Sequence, residues 1–467
     1  MRRAFVVLLA VLLLMASSVS VTAAASGNGS VGINVALTRP ASAALLADIG
    51  RFGRVLDVYE TFNGLTMKVR EADLARIREL PYVAAANQDA RRVGKPVPIN
   101  PATGFADGIG TWNLDMIDAT DVATDTRQVS FDGTGVYVAV LDTGLLSSWP
   151  FYYGDDRIAE EYAVAFGGGG GEHGTISTQP NKWQLDQDSH GTHVTSIILG
   201  YQGLVGGQLV HVNGVAPGAT VIPVKVLGQN GSGWSSTTAH GIDYIVGLKR
   251  GPLAGSPVVI NMSLGGPELD AVEKAAIDAA IAAGVIVVVA AGNDGEEGMS
   301  FPGAYPPVIS VGSSGWTGEW QAGGNASLTD WWWSDDVAEG DAAVASQSYI
   351  SDFSGRQLSG QQLDLAAPGS WVVGPYQSNG QLSYFFVGGT SQATPHVTGA
   401  AALLAQQSPG IGHAAVEARL KTTATPLAAG CRMVVPLPGV PAENVCWAAD
   451  ATGAGILDLK AALGLGD

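Results

Sequence analysis

Three residues of this chain have the types and local settings that nucleophilic acyl-transfer chemistry needs: Asp142, His190 and Ser391. Asp142 closes the stretch Val138-Ala139-Val140-Leu141-Asp142-Thr143-Gly144, so its carboxylate falls at the C-terminal end of an apolar, strand-like run. His190 lies in Asp188-Ser189-His190-Gly191-Thr192-His193, at a predicted helix start. Ser391 lies in Gly388-Gly389-Thr390-Ser391-Gln392-Ala393, on a glycine turn that enters an alanine-rich helix. A serine hydroxyl is a weak nucleophile at neutral pH and needs a base within hydrogen-bond reach; imidazole titrates in that range. The imidazole in turn needs a carboxylate to fix its tautomer and stabilise its cation.

The rest of the sequence supplies elements that could hold three such groups together. Residues 136–141, 220–227, 258–262, 285–290 and 308–311 are short runs rich in Val and Ile, and residues 236–249 and 269–283 between them have helical spacing. Near-continuous apolar strands separated by helices predict an α/β fold, a mostly parallel central sheet with helices on both faces. Ligands of such sheets gather at the C-terminal strand ends, where Asp142 stands. Of 467 residues, 46% are hydrophobic and 14% charged, a globular balance. The glycine-rich stretch 228–233 follows a strand but lacks the spacing of a dinucleotide loop.

Residues 1–25 read as a secretory leader: Arg2 and Arg3, an apolar run, then Ala23, Ala24 and Ala25. Residues 26–95 form a separate small unit with a βαββαβ-like order, and Asn63-Gly64 at its hairpin turn, which predicts a ferredoxin-like α+β module. Residues 96–107 form a linker and residues 108–467 the large domain. The small unit carries ten Lys/Arg against seven Asp/Glu, while the part from Pro96 onward carries 12 against 35. So acidic a body argues against nucleic acid as a partner and would attract the basic unit. The only cysteines, Cys431 and Cys446, have neither metal-site nor redox spacing; in a chain read as secreted they predict a disulfide.

The three segments, in the chain order Asp, His, Ser, resemble the signatures of the subtilisin-like (S8) serine peptidases, over roughly residues 108–424. The resemblance implies that Asp142, His190 and Ser391 are a catalytic triad and that Asn293, in Ala290-Ala291-Gly292-Asn293, donates its side-chain amide to the oxyanion. It implies two substrate-binding strand edges, Ser263, Leu264 and Gly265 facing Gly231, Ser232 and Gly233. It implies that residues 26–95 are an inhibitory propeptide, acting in cis and removed by self-cleavage between about residues 87 and 107. A secreted, monomeric endopeptidase of broad specificity acting on proteins or peptides follows, with no membrane partner once the leader is gone. A pocket floor near Ser300, with Glu296 and Glu297 in the neighbourhood, suggests an apolar side chain before the scissile bond. The alternatives are a catalytically silent binding protein on the same fold, or a peptide ligase or acyl transferase using the same acyl-enzyme. The Gly-x-Ser-x-Gly elbow of lipase-type hydrolases is absent around Ser391.

His193 and His396 resemble structural histidines of the family, and His173, His211, His240 and His413 are assigned to surface or loop positions. No cofactor is needed for the chemistry and no metal ligand is assigned. Phe151 stands where the family often has a calcium-binding Asp, and residues 200–214 lack its usual calcium loop, so structural calcium stays unassigned; the acidic stretch 330–341 is an alternative location. Trp331, Trp332 and Trp333 lie in an apparent insertion. Gln392 follows Ser391 where many members carry an oxidisable Met. The expected outcome is that activity survives dilute peroxide that inactivates Met-bearing relatives; equally rapid loss in a residual-activity assay would contradict this.

Overall fold

The computed structural model describes residues 29–94, 99–101, 110–121, 126–170, 175–205, 208–320 and 336–465. The leader, most of the linker, His173 and the Trp331, Trp332 and Trp333 stretch lie outside the described residues. The apolar runs become one sheet of nine strands. Its order from edge to edge is Ser348–Ile350, Ile309–Trp316, Ile286–Ala290, Val258–Met262, Tyr137–Asp142, Thr220–Lys225, Val164–Gly167 and Ser177–Gln179. Leu365–Pro368 also pairs with Ile309–Trp316, in parallel. The inner pairings are parallel, and antiparallel strands occur at the two ends.

Both faces of the sheet are covered, as continuous apolar strands require. The helices His190–Leu199 and Thr390–Gln407 pack on one face, where Val138, Val140, Val194, Ile198, Val397 and Leu404 share a buried cluster. The helices Ser235–Arg250 and Ala271–Ala282 pack on the other, with Leu141, Val224, Ile242, Ile260 and Ile277. The expected strands and helices therefore form within a few residues of their predicted bounds.

The N-terminal unit has its own core, centred on Ile33, Val35, Leu65, Met67 and Ile77. Its four antiparallel strands lie in the order Gly53–Tyr59, Gly64–Arg70, Ser30–Leu37, Val83–Gln88, with helices Ala43–Ile49 and Leu74–Arg78 in the connections. This is the split-βαβ arrangement expected from the sequence. Asn63 takes φ 55° at the hairpin turn, a left-handed position that Asn tolerates.

The sheet of this unit docks on the N-termini of the two helices that cover the second face. Asp89 accepts the backbone N–H of Ser236 at 2.9 Å and the hydroxyl of Ser235 at 2.8 Å, capping the helix Ser235–Arg250 from outside its own chain segment. Asp270 caps its own helix through the N–H groups of Val272 and Glu273, both at 2.9 Å, and also accepts the side-chain amides of Asn34 at 2.8 Å and Asn87 at 2.7 Å. Four orphan donors at each helix start make these natural anchoring points for carboxylates.

Cys431 and Cys446 face each other across the hairpin Gly430–Val434/Glu443–Trp447 and are joined as a disulfide with a sequence separation of 15. Closing a loop of this length limits the unfolded chain and contributes about 3 kcal/mol in the chain-entropy treatment. Replacing both cysteines by serine should lower the urea midpoint correspondingly, and an unchanged midpoint would show that the hairpin opens independently of the domain.

Candidate active site

Asp142 ends its strand with the carboxylate buried beneath the sheet's C-terminal edge, and the next residue's N–H donates to it at 2.6 Å. His190 is the first residue of its helix, and its Nδ1–H donates to Asp142 Oδ1 at 2.8 Å and Oδ2 at 3.0 Å. Both side chains are 0% exposed. The helix start comes this close to the strand end because residue 191 is glycine: a Cβ there would lie 2.4 Å from the Gly144 carbonyl and 3.2 Å from the Asp142 side chain. The preceding Ser189 takes φ 69°, a left-handed conformation that costs on the order of 1 kcal/mol outside glycine. It is held there by Asp186, which accepts its N–H at 2.7 Å, and by Gln377, whose N–H donates to its hydroxyl at 2.7 Å.

Ser391 stands in the first turn of the helix Thr390–Gln407. Pro395 lies four residues on and has no N–H to give to the Ser391 carbonyl. The hydroxyl of Ser263 fills the gap, donating to that carbonyl at 2.8 Å, and receives a bond from Asn261 at 3.1 Å, which is itself held by Thr398 at 2.8 Å. Ser391 Oγ donates to the Ser263 carbonyl at 3.3 Å. His190 Nε2, on the far side of the ring from Asp142, is buried and bonded to no atom among the described residues.

Asn293 follows the strand Ile286–Ala290. Its Oδ1 accepts the N–H of Thr390 at 2.8 Å and the hydroxyl of Thr390 at 3.0 Å. This pins the amide so that Nδ2 turns toward Gly389 and the turn that carries Ser391. A pocket of about 400 Å³ opens here, bounded by Leu264, Gly265, Gly292, Asn293, Ser300 and Ser391. Asp294 also lines it and accepts the Ser300 hydroxyl at 3.3 Å. The sequence pointed to Glu296 and Glu297 near this pocket, but the carboxylate that lines it is Asp294, and adjacency to Asn293 was the signal available.

The two strand edges are both present, and a segment of the N-terminal unit lies between them. Arg91–Val93 pairs antiparallel with Ser232–Trp234. Val93 exchanges backbone bonds with Gly265 at 2.9 and 3.1 Å, and the Gly94 N–H donates to the Gly231 carbonyl at 3.0 Å. The segment comes up against His190 at Gly94, where a Cβ would lie 3.2 Å from the His190 ring and 2.9 Å from the Ser263 carbonyl.

Burial pulls the His190 pKa down, and the charge and hydrogen bond of Asp142 outweigh it, leaving the imidazole above its ordinary 6.5. His193 and His396 lack such a partner, and burial takes them down to about 3 and about 4. His193 bonds the Val372 carbonyl at 3.1 Å and His396 bonds Asn113 at 2.8 Å, so both are structural. His413, expected at the surface or in a loop, is instead buried at a helix start, where it accepts the Val287 N–H at 3.2 Å. The chain at 200–214 forms a hairpin, Tyr201–Val205 with Gln208–Val212. Among the described residues, Asp115, Asp121 and Glu339 bring ligand atoms within 4.8 Å of one another, well outside the groups described above.

Comparison with known proteins gives a consistent set of likenesses. The subtilase family (peptidase family S8) matches residues 133–451. The chain is 33% identical to an extracellular serine proteinase of Thermus sp. (strain Rt41A), over 80% of this chain and 74% of that one. It is 29% identical to subtilisin E of Bacillus subtilis (strain 168), over 80% and 78%. Among solved structures, fervidolysin from Fervidobacterium pennivorans, a keratinolytic enzyme, overlays with a TM-score of 0.63 at 21% identity, covering 94% of this chain. The chain spans only 62% of fervidolysin. Sphericase overlays with a TM-score of 0.51 at 23% identity, covering 74% of this chain and 97% of its own. Both likenesses show the fold.

Replacing Asp142 by Asn removes the charge that raises His190 most and leaves smaller opposition to burial, such as that from Asp188 and Asp186. The imidazole midpoint, followed by NMR of its ring nuclei, should move from above 6.5 to a lower pH; an unmoved midpoint would show that Asp142 does not govern it.

Proposed function

The chain belongs to the subtilase family of serine endopeptidases, and from that premise we propose that Asp142, His190 and Ser391 are its catalytic triad, in a secreted zymogen that cuts itself free of residues 26–95. The observation that carries this reading is the segment 91–94, an extended strand between two backbone edges whose end reaches His190 and the carbonyl that holds Ser391. An enzyme that binds extended peptide needs such a groove, and an inhibitor in cis needs to fill it.

In the proposed mechanism the substrate strand takes the place of residues 91–94, held by the backbone groups of Gly231, Ser232, Gly233, Ser263, Leu264 and Gly265. Main-chain bonds read an extended shape more than a sequence, which supports broad specificity. Ser391 Oγ turns from the Ser263 carbonyl toward His190 Nε2, which takes its proton as the oxygen attacks the scissile carbonyl. Asp142 keeps Nδ1 protonated and stabilises the imidazolium. The developing oxyanion receives the Asn293 Nδ2–H and the first-turn N–H of Ser391, a backbone donor without an intrahelical acceptor. His190 then protonates the leaving amine, and water, activated by the same base, releases the acyl group. Leu264, Ala290 and the glycines make the pocket largely apolar, and Asp294 gives one wall a charge that suits a basic side chain as well.

Casein hydrolysis by the secreted wild type and by Ser391→Ala, with N-terminal sequencing of both, tests the reading. The wild type should lose residues 26–95 and cleave casein. The variant should do neither, with turnover lower by on the order of 10⁶, as known for subtilisin itself. A folded wild type that is trimmed by another protease and stays inert would favour the silent-binder alternative.

A further inference from the structure

One side chain of the segment in the groove is read in detail. Arg92 leaves the strand toward the first turn of the helix Ala271–Ala282, and its side chain and that of Glu273 are each 0% exposed. Arg92 Nε donates to Glu273 Oε1 at 2.9 Å and its Nη2 donates to Oε2, a two-pronged pair. Two further N–H groups go to the carbonyls of Glu268, at 3.2 Å, and Arg91, at 2.9 Å. Gly266 keeps the slot open, since a Cβ there would lie 3.0 Å from Arg92 Nη1 and 2.2 Å from the Arg91 carbonyl. Val93 beside it is 41% exposed, so no comparable enclosure surrounds the next side chain.

Arg92 belongs to the occupant, whereas Glu273, Glu268 and Gly266 belong to the large domain and stay when the occupant leaves. A substrate in the same register inherits the slot. The register places Val93 on Gly265 and Gly94 on Gly231; a substrate that continues one residue further toward Ser391 is cut after that residue, which makes the Arg92 position the fourth before the bond. We propose that Glu273 makes this peptidase select a basic side chain, arginine above lysine, four residues before the bond it cuts. The inference rests on the proposed peptidase function and names its substrate class. An apolar residue in the slot would leave a buried carboxylate without a partner, which costs far more than the pair itself contributes. Arginine answers both carboxylate oxygens with a planar fork, and lysine offers one point charge. Backbone recognition elsewhere in the groove stays permissive, so the preference is superimposed on otherwise broad cleavage.

The test uses full-length enzyme, secreted and allowed to mature, on a peptide library made by cutting a bacterial proteome at glutamate, so that internal Arg and Lys survive. Cut sites are aligned by mass spectrometry. For the wild type, Arg at the fourth position should exceed Leu there by at least about tenfold in kcat/KM on matched single peptides, a margin well inside what a site built to bond a polar group can give. Glu273→Gln should lose that preference while still cutting the Leu peptide. Since Glu273 also holds Arg92 during maturation, the double variant Arg92→Leu/Glu273→Leu provides a second arm, and it should prefer Leu over Arg. An Arg preference that is absent in the wild type, or that persists in Glu273→Gln or in the double variant, overturns the proposal. Absence of any Ser391-dependent cleavage would instead overturn the peptidase reading itself.

Discussion

A carboxylate and an imidazole with no exposed surface each need a polar partner in a protein interior, and the Asp142–His190 bond supplies one to both. Much of the surrounding architecture follows from keeping that bond short. The strand Tyr137–Asp142 lies inside the sheet, with neighbours on both sides, so its end is fixed. The helix beginning at His190 can approach it only over Gly191, and the left-handed Ser189 aims its first residue. Asp186 anchors Ser189 and lies buried itself, where desolvation lifts its pKa to about 7. Holding one imidazole in place thus draws on a strand, a helix, a buried loop carboxylate and a strained backbone residue.

The Ser391 side of the site is organised by a helix that lacks a bond. Pro395 removes the donor that would satisfy the Ser391 carbonyl, and Ser263 supplies one from the neighbouring strand end. The substitution of a tertiary bond for a local one ties the helix start to the very edge that holds extended peptide. Asn293 adds a second tie through Thr390. Ser391, Asn293 and the groove edge are therefore tied to one another by direct bonds.

The sequence made the local features legible and left the relational ones hidden. Asp142, His190 and Ser391 announce themselves because each sits in a short segment whose neighbours set its backbone. The buried strands are legible because a parallel sheet demands apolar residues on both faces. The order of those strands, with Tyr137–Asp142 between Val258–Met262 and Thr220–Lys225, is a property of packing that no single run encodes. Pro395 was a readable sign that the Ser391 carbonyl would need an outside donor, but not that Ser263 would give it. Glu273 reads as an ordinary acidic residue in a helix's first turn until residues 91–94 are docked beside it. His413 was misjudged because a lone histidine at a helix start looks the same in sequence whether the helix end is buried or exposed.

The strand 91–94 holds the groove through the same backbone groups that would hold any extended peptide, so its advantage over a substrate is not its contacts alone. It is attached to the domain it occupies, and a short tether gives a local concentration in the range of millimolar. Residues 29–94 add a second foothold through Asp89 and the Asp270 contacts, so release requires both to let go at once. In the proposed zymogen, cutting the tether ends that local concentration. The same surfaces then meet at whatever concentration the released unit reaches, and activation becomes a problem of dilution, governed by how far the two pieces can drift apart before they meet again.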